Sequence, residues 1–158
     1  MMKDQINLFH YFIVFIFAIF LFQGCKDKSS NFEIGTLSGT ITLPYPAPNK
    51  TLYVMIDNDI NGDNGFLYSF QGYCSPDTIE NYTINNVATG TYYVYAAVFV
   101  KGNGEGGPQK GDFLGLYGGS LDNPPNAPNV IISANDNTNC SFELSIYNGK
   151  IKHWNIRL

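Results

Sequence analysis

Two spacings of apolar residues divide this chain. Residues 12–22 (FIVFIFAIFLF) form an unbroken apolar run, whereas from residue 35 onward apolar positions alternate with polar ones in short segments set between Gly, Pro and Asn. A period of two places apolar side chains on one face of a strand and polar ones on the other. The segments are rich in Thr, Tyr, Val and Ile, which suit a pleated, half-buried surface. No window carries a capped apolar repeat of 3.6 residues, so no long helix is predicted after the apolar run. Strands are predicted at 36–43, 51–57, 66–71, 79–85, 91–100, 129–133, 140–147 and 150–157. The fold class that follows is all-β: a single antiparallel β-sandwich of about seven to eight strands, spanning 35–158.

The clearest pair closes the chain. SFELSIY and KIKHWNIRL flank Asn148-Gly149, a dipeptide that accepts the two positive φ angles of a type I′ turn and so predicts a tight hairpin. Phe142, Leu144 and Ile146 would then share one face. Trp154, Ile156 and Leu158 would share the inner face of the last strand, with His153 turned away.

The apolar run is about half the ~20 residues that span a bilayer as a helix. A weakly positive segment containing Lys3 precedes it and small or polar residues follow, the three-part layout of a secretory signal. Leu21, Phe22, Gln23 and Gly24 ahead of Cys25 resemble a bacterial lipobox, with Phe22 and Gln23 departing from its commonest residues. The resemblance implies that 1–24 is a lipoprotein signal peptide, that Cys25 is the lipid-attachment residue, and that 25–34 is a short solvated tether. An uncleaved membrane anchor is the other reading of the run. Several acyl chains, at ~0.8 kcal/mol per buried methylene, would hold such a protein to a membrane essentially permanently. Lys26, where an aspartate favours inner-membrane retention in the lipoproteins this resembles, implies an outer-membrane lipoprotein of the cell envelope, periplasmic or surface-exposed.

A second resemblance lies in INNVATGTYYVYAAVFV, where an apolar strand end and a turn closed by Gly90 lead into a long Tyr- and Val-rich strand. Val87, Gly90, Tyr92 and Val94 match the signature of transthyretin-like β-sandwiches, the carboxypeptidase-regulatory-like and collagen-adhesin B-type group, with Thr89 departing from it. LSGTITL resembles that group's first strand and TLYVMID its second. The resemblance implies a fold and no particular activity.

Composition narrows the partners. The net charge is −4, which argues against nucleic acid, whose binding needs clustered Lys and Arg to displace counterions. Once 1–24 is removed the rest is long enough for one domain. Cys74 and Cys140 remain, in a compartment where disulfides persist. A bridge closing a loop of about 65 residues would contribute ~4 kcal/mol in the chain-entropy picture; two buried free thiols are the alternative.

The most site-like stretch is DNDINGDNG, residues 57–65. Asp57, Asp59, Asn61 and Asp63 alternate so that their oxygens can converge on one hard cation, with Gly62 allowing the bend. Tyr68 stands where an EF-hand needs a bidentate Glu, and a strand precedes the loop, so the reading is a calcium loop between strands; a solvated hairpin turn uses the same residues. Calcium is the single cofactor candidate, and none is required. GNGEGGPQKGD carries Gly102, Gly104 and Gly107 in dinucleotide-type spacing, but Pro108 and a β-like segment follow where a helix should open, so a long surface loop is expected. One histidine, His153, follows Cys25 and no nucleophile motif stands in the sequence, so catalytic residues are not assigned and the carboxylates are expected at the surface. Tyr68, Tyr73 and Tyr117 are the candidate sugar-stacking aromatics. The expected function is a non-enzymatic, membrane-tethered binding or accessory module whose partner is a glycan or an envelope protein. A carbohydrate-binding module using loop aromatics is the alternative, and a small hydrolase with paired carboxylates a more distant one.

Overall fold

The computed structural model describes residues 33–60, 65–102, 104, 107–120 and 122–150, all within one compact unit, Phe32–Leu158. The apolar run, Cys25, Asn61, Asp63 and the final segment with His153, Trp154, Ile156 and Leu158 lie outside the described residues. Among the described residues ten strands follow in order: β1 (Ile34–Thr42), β2 (Thr51–Asp57), β3 (Tyr68–Tyr73), β4 (Ile79–Ala88), β5 (Gly90–Val98), β6 (Phe113–Leu116), β7 (Val130–Ile132), β8 (Asn137–Asn139), β9 (Phe142–Glu143) and β10 (Ser145–Ile146). The described residues contain no helix, and none of their elements is a helix long and apolar enough to cross a membrane.

The strands form two sheets. The smaller runs β4-β1-β8, with β9 also pairing β1; the larger runs β10-β6-β5-β2-β3, with β7 pairing β5. All pairings are antiparallel except β1 with β8 and β9, which are parallel, a correction to the purely antiparallel expectation. Gly35 and Gly39 of β1 stand where an added Cβ would overlap the carbonyl oxygens of Ser133 and Cys140. Two positions without side chains thus let the returning segment lie close along β1.

Alternation builds the core between the sheets. Leu37 and Ile41 of β1 and Tyr82, Ile84 and Val87 of β4 meet Leu52, Val54 and Ile56 of β2 and Val94, Ala96 and Val98 of β5 in one buried cluster. Phe113 is fully buried there and takes Tyr45 edge-on, with ring centroids 4.6 Å apart. The back of the larger sheet carries a second cluster of Met55, Tyr93, Tyr95, Ala97, Phe99, Leu114 and Leu116. Strand β5 is therefore buried on both faces, which explains why YYVYAAVFV reads as a nearly continuous apolar run.

The count of ten strands, against seven to eight expected, comes from the last third of the chain. The strand predicted at 140–147 divides: β9 pairs β1, with Ile41 opposite Phe142, and β10 pairs β6, with Ile146 opposite Phe113. The chain changes sheets at Leu144, which is buried and donates its N–H to the Thr42 carbonyl at 2.9 Å. Phe142, Leu144 and Ile146 consequently do not share a face, and Ile146 is 52% exposed, because parity carries along a strand only while it stays in one sheet. Strand β6 lies in the segment read as β-like but not delimited as a strand, because all four of its residues are buried and nothing alternates. Strand β8 escaped notice because NTN has no apolar residue.

At the end of β10 the turn also differs from expectation. Gly149 has φ of 88°, but Asn148 is not among the residues with positive φ, so the type I′ geometry is not formed. Instead the Asn148 side-chain oxygen accepts the Lys150 N–H at 2.9 Å, an Asx turn.

Candidate functional site

Asp57 closes β2 with its side chain on the same side as Met55, toward the second cluster, and pairs in register with Tyr93. It is 3% exposed. Oδ1 accepts the N–H groups of Asn58 at 2.7 Å and Asp59 at 3.2 Å, which turns the chain out of the strand. Oδ2 is buried and has no hydrogen-bond partner. Burial pushes the nearby Tyr95 hydroxyl up from its ordinary pKa, and the charges of Asp57 and Asp59 push it further. This corner is electronegative, poorly solvated and lined by oxygen.

A buried carboxylate oxygen without a donor costs its desolvation without return, and a hard cation is one group that offsets it, since calcium takes only oxygen ligands. Asp57 offers an unpartnered oxygen and Asp59 a second carboxylate two residues on, part of the six to eight oxygens that calcium takes. Asn61 and Asp63, expected to complete the set, fall outside the described residues. Among the described residues, no group of three or more His, Cys, Asp and Glu side chains is placed to hold a metal.

Two further carboxylates, expected at the surface, are buried instead. Asp112 is fully buried; its Oδ1 accepts the Lys101 N–H and its Oδ2 the Gln109 N–H, each at 2.7 Å. Its carbonyl accepts the Tyr147 N–H at 2.7 Å. One carboxylate thus pins both ends of the glycine-rich segment to the start of β6, while the main-chain carbonyl of the same residue ties it to the end of β10. This geometry accounts for GNGEGGPQKGD as a clamped loop, because amides at its two ends already bind an anion of the chain's own. Glu80, 8% exposed, accepts from the Ser75 N–H at 2.7 Å and the Ser75 hydroxyl at 2.9 Å, folding the β3–β4 turn. The one sequence hint for Asp112 was its place between Gly111 and a wholly apolar strand.

The candidate tyrosines are not brought together. Tyr68 accepts the Ala88 N–H at 3.1 Å and packs edge-on against Tyr92. Tyr73 lies on the opposite face of β3 and is 76% exposed. Tyr117 is half-buried against Phe142. Two of the three candidate rings are thus packing residues, and Tyr73 is the exposed one. A cavity of about 140 Å³ beside β6 and β10 is lined by Asp122 and Glu143 among others, well below the ~300–1,000 Å³ of ligand pockets.

Cys74 and Cys140 are both free thiols, buried in the inter-sheet core, so the disulfide is not formed. Cys74 lies just beyond β3 of the larger sheet and Cys140 just beyond β8 of the smaller. Burial pushes the Cys140 thiol up to about 12 and the Cys74 thiol, with help from the Glu80 charge, up to about 11. Peptide mapping after iodoacetamide is expected to find both unmodified in the native protein and both alkylated in denaturant; a Cys74–Cys140 linked peptide would refute this.

The same shifts set an alkaline limit. The ordinary thiol value is 9.0, so above it the unfolded chain loses protons that the folded chain keeps. Stability from these groups is complete below pH 9 and is lost as pH rises through about 11 and about 12. Urea midpoints should fall between pH 8 and pH 10.5, and Cys140→Ala should flatten the slope.

No family model, no curated protein and no solved structure matches this chain.

Proposed function

We propose that this chain is a non-enzymatic outer-membrane lipoprotein, anchored through Cys25, that presents its sheet-built domain as a binding or accessory module of the cell envelope. The observation that carries the reading is LFQGC, standing at the end of an apolar run and a short polar stretch before β1 begins at Ile34. Tethering supplies the mechanism: a domain held at a membrane meets partners there at a raised effective concentration. The engagement of Asp112 and Glu80 with main-chain N–H groups supports a structural use for buried acids in place of acid-base chemistry. Calcium at Asp57 is proposed as a stiffener of the β2–β3 loop, and a transthyretin-like relation as the finer description of the fold.

Mass spectrometry of the protein from native membranes tests the anchor. The expected product lacks 1–24 and carries acyl groups on Cys25, and Cys25→Ala abolishes both changes. An unmodified Cys25 with the leader still attached would overturn the proposal.

A further inference from the structure

The outward face of the smaller sheet has an unusual chemistry. Where Leu37, Ile41, Tyr82 and Ile84 point into the core, the alternate residues form cross-strand rows. Thr36 of β1 lies beside Asn137 of β8 and, through its hydroxyl, Asn85 of β4. Ser38 lies between Asn139 and Thr83, and Thr40 beside Asn81. All are exposed or half-buried. None is ionisable and none is aromatic, in a chain of net charge −4. The next row, Thr42 between Ile79 and Glu143, brings an exposed isoleucine and a carboxylate to the far end of the face, so it is the uncharged rows from Thr36 to Thr40 that offer nothing to a polyanion or a charged headgroup.

Its hydrogen bonds are polarised. The Thr36 hydroxyl donates to the Asn85 side-chain oxygen at 3.4 Å, Ser38 to that of Asn137 at 2.8 Å, and Ser141 to that of Asn139 at 3.0 Å. With the amide oxygens engaged inside the sheet, the –NH₂ groups of these three asparagines remain as donors toward solvent. At one end the face opens into a groove of about 600 Å³ lined by residues that include Asn85, Asn86, Asn135 and Asn137. Its walls are fixed: Asn135 donates its N–H to the Ile34 carbonyl and Thr36 to the Asp136 carbonyl, both at 2.8 Å. Asn86 and Asn135 hold φ of 58° and 55°. Among the described residues the groove's single ionisable side chain, Asp136, caps the Asn137 N–H at 2.8 Å, and its charge disfavours an acidic ligand.

We infer that this face and its groove bind a neutral polysaccharide, whose hydroxyl and ring oxygens accept from the outward amides and whose lack of charge matches the surface. Preorganised polar groups that reward a ligand hydroxyl discriminate strongly against ligands without one. The inference names a ligand class for the binding module proposed above and rests on that reading only for its non-catalytic character. It uses none of the candidate tyrosines.

The test is retention of the detergent-solubilised full-length product on immobilised dextran, mannan and galactan, with polygalacturonate as the anionic counterpart. Retention on at least one neutral matrix, released by its free oligosaccharide, is expected. The double variant N85D/N137D, which keeps shape but exchanges donors for charge, should bind at least tenfold more weakly, and Tyr73→Ala should bind as wild type. Thr83→Glu, at an outward position without a side-chain hydrogen bond, should repeat the loss at an unchanged melting temperature. No neutral retention, retention on polygalacturonate alone, equal binding by the folded variants, or a dimer broken by N85D/N137D each overturns the inference. Since retention does not require the acyl groups, failure of the anchor at Cys25 and failure of the glycan site are separate results.

Discussion

Replacing Asp112 with alanine is expected to lower the unfolding free energy by about 3–5 kcal/mol. The side chain makes two charge-assisted bonds to main-chain N–H groups, at 2.7 Å each and at a fully buried position, and bonds of this type contribute ~1.5–3 kcal/mol apiece. Their loss releases both ends of the 101–109 segment, while the main-chain bond from Tyr147 to the Asp112 carbonyl remains. Asp112→Asn retains one acceptor oxygen and should fall between wild type and alanine. Urea unfolding at constant m-value measures the difference. Equal midpoints for all three proteins would mean that the loop is held by something else.

Calcium should act with opposite signs on Asp57 and its amide. In chelator, Asp57→Asn removes a buried charge whose Oδ2 has no donor, so the variant should be as stable as wild type or more stable. In calcium at a hundredfold excess over the dissociation constant, a ligand specific to the folded state contributes ~2.7 kcal/mol. Wild type should gain this and the variant should not, so their melting temperatures change order. A wild-type transition indifferent to millimolar calcium returns residues 57–65 to a solvated turn, with Asp57 acting only through its bonds to Asn58 and Asp59. Asp59→Asn should weaken the response without a comparable gain in chelator, because Asp59 is only half-buried.

How legible was each part? The all-β class and the first five strands could be read because β1 to β5 alternate, or are apolar throughout, over six or more residues each. The last five strands have four residues or fewer. Of these, β7 lies within the strand predicted at 129–133; in the others a period cannot be read from so few positions, and the change of sheet at Leu144 reverses the meaning of parity in mid-segment. The candidate site was half legible. DND marked Asp57 as polar and turn-forming, yet the same letters describe an exposed turn, and only packing against the second cluster made its Oδ2 an orphan. Glu80 had no local signature, and Asp112 only its place ahead of an apolar strand, because their partners are main-chain groups supplied by folding.

The sequence by itself determined the alternating pattern, hence the two-sided sheets, and it wrote the uncharged Asn, Thr and Ser positions that make the rows from Thr36 to Thr40 on the outer face of the smaller one. The tertiary structure alone decided which strands neighbour one another. It laid β8 parallel to β1, beside the two glycines that make room for the returning segment, and so assembled three separate polar segments into one surface. The physical reason is that alternation is a property of adjacent residues, whereas register, burial of a carboxylate and the placing of two thiols depend on segments distant in the sequence, up to about a hundred residues for β1 and β8, meeting in space.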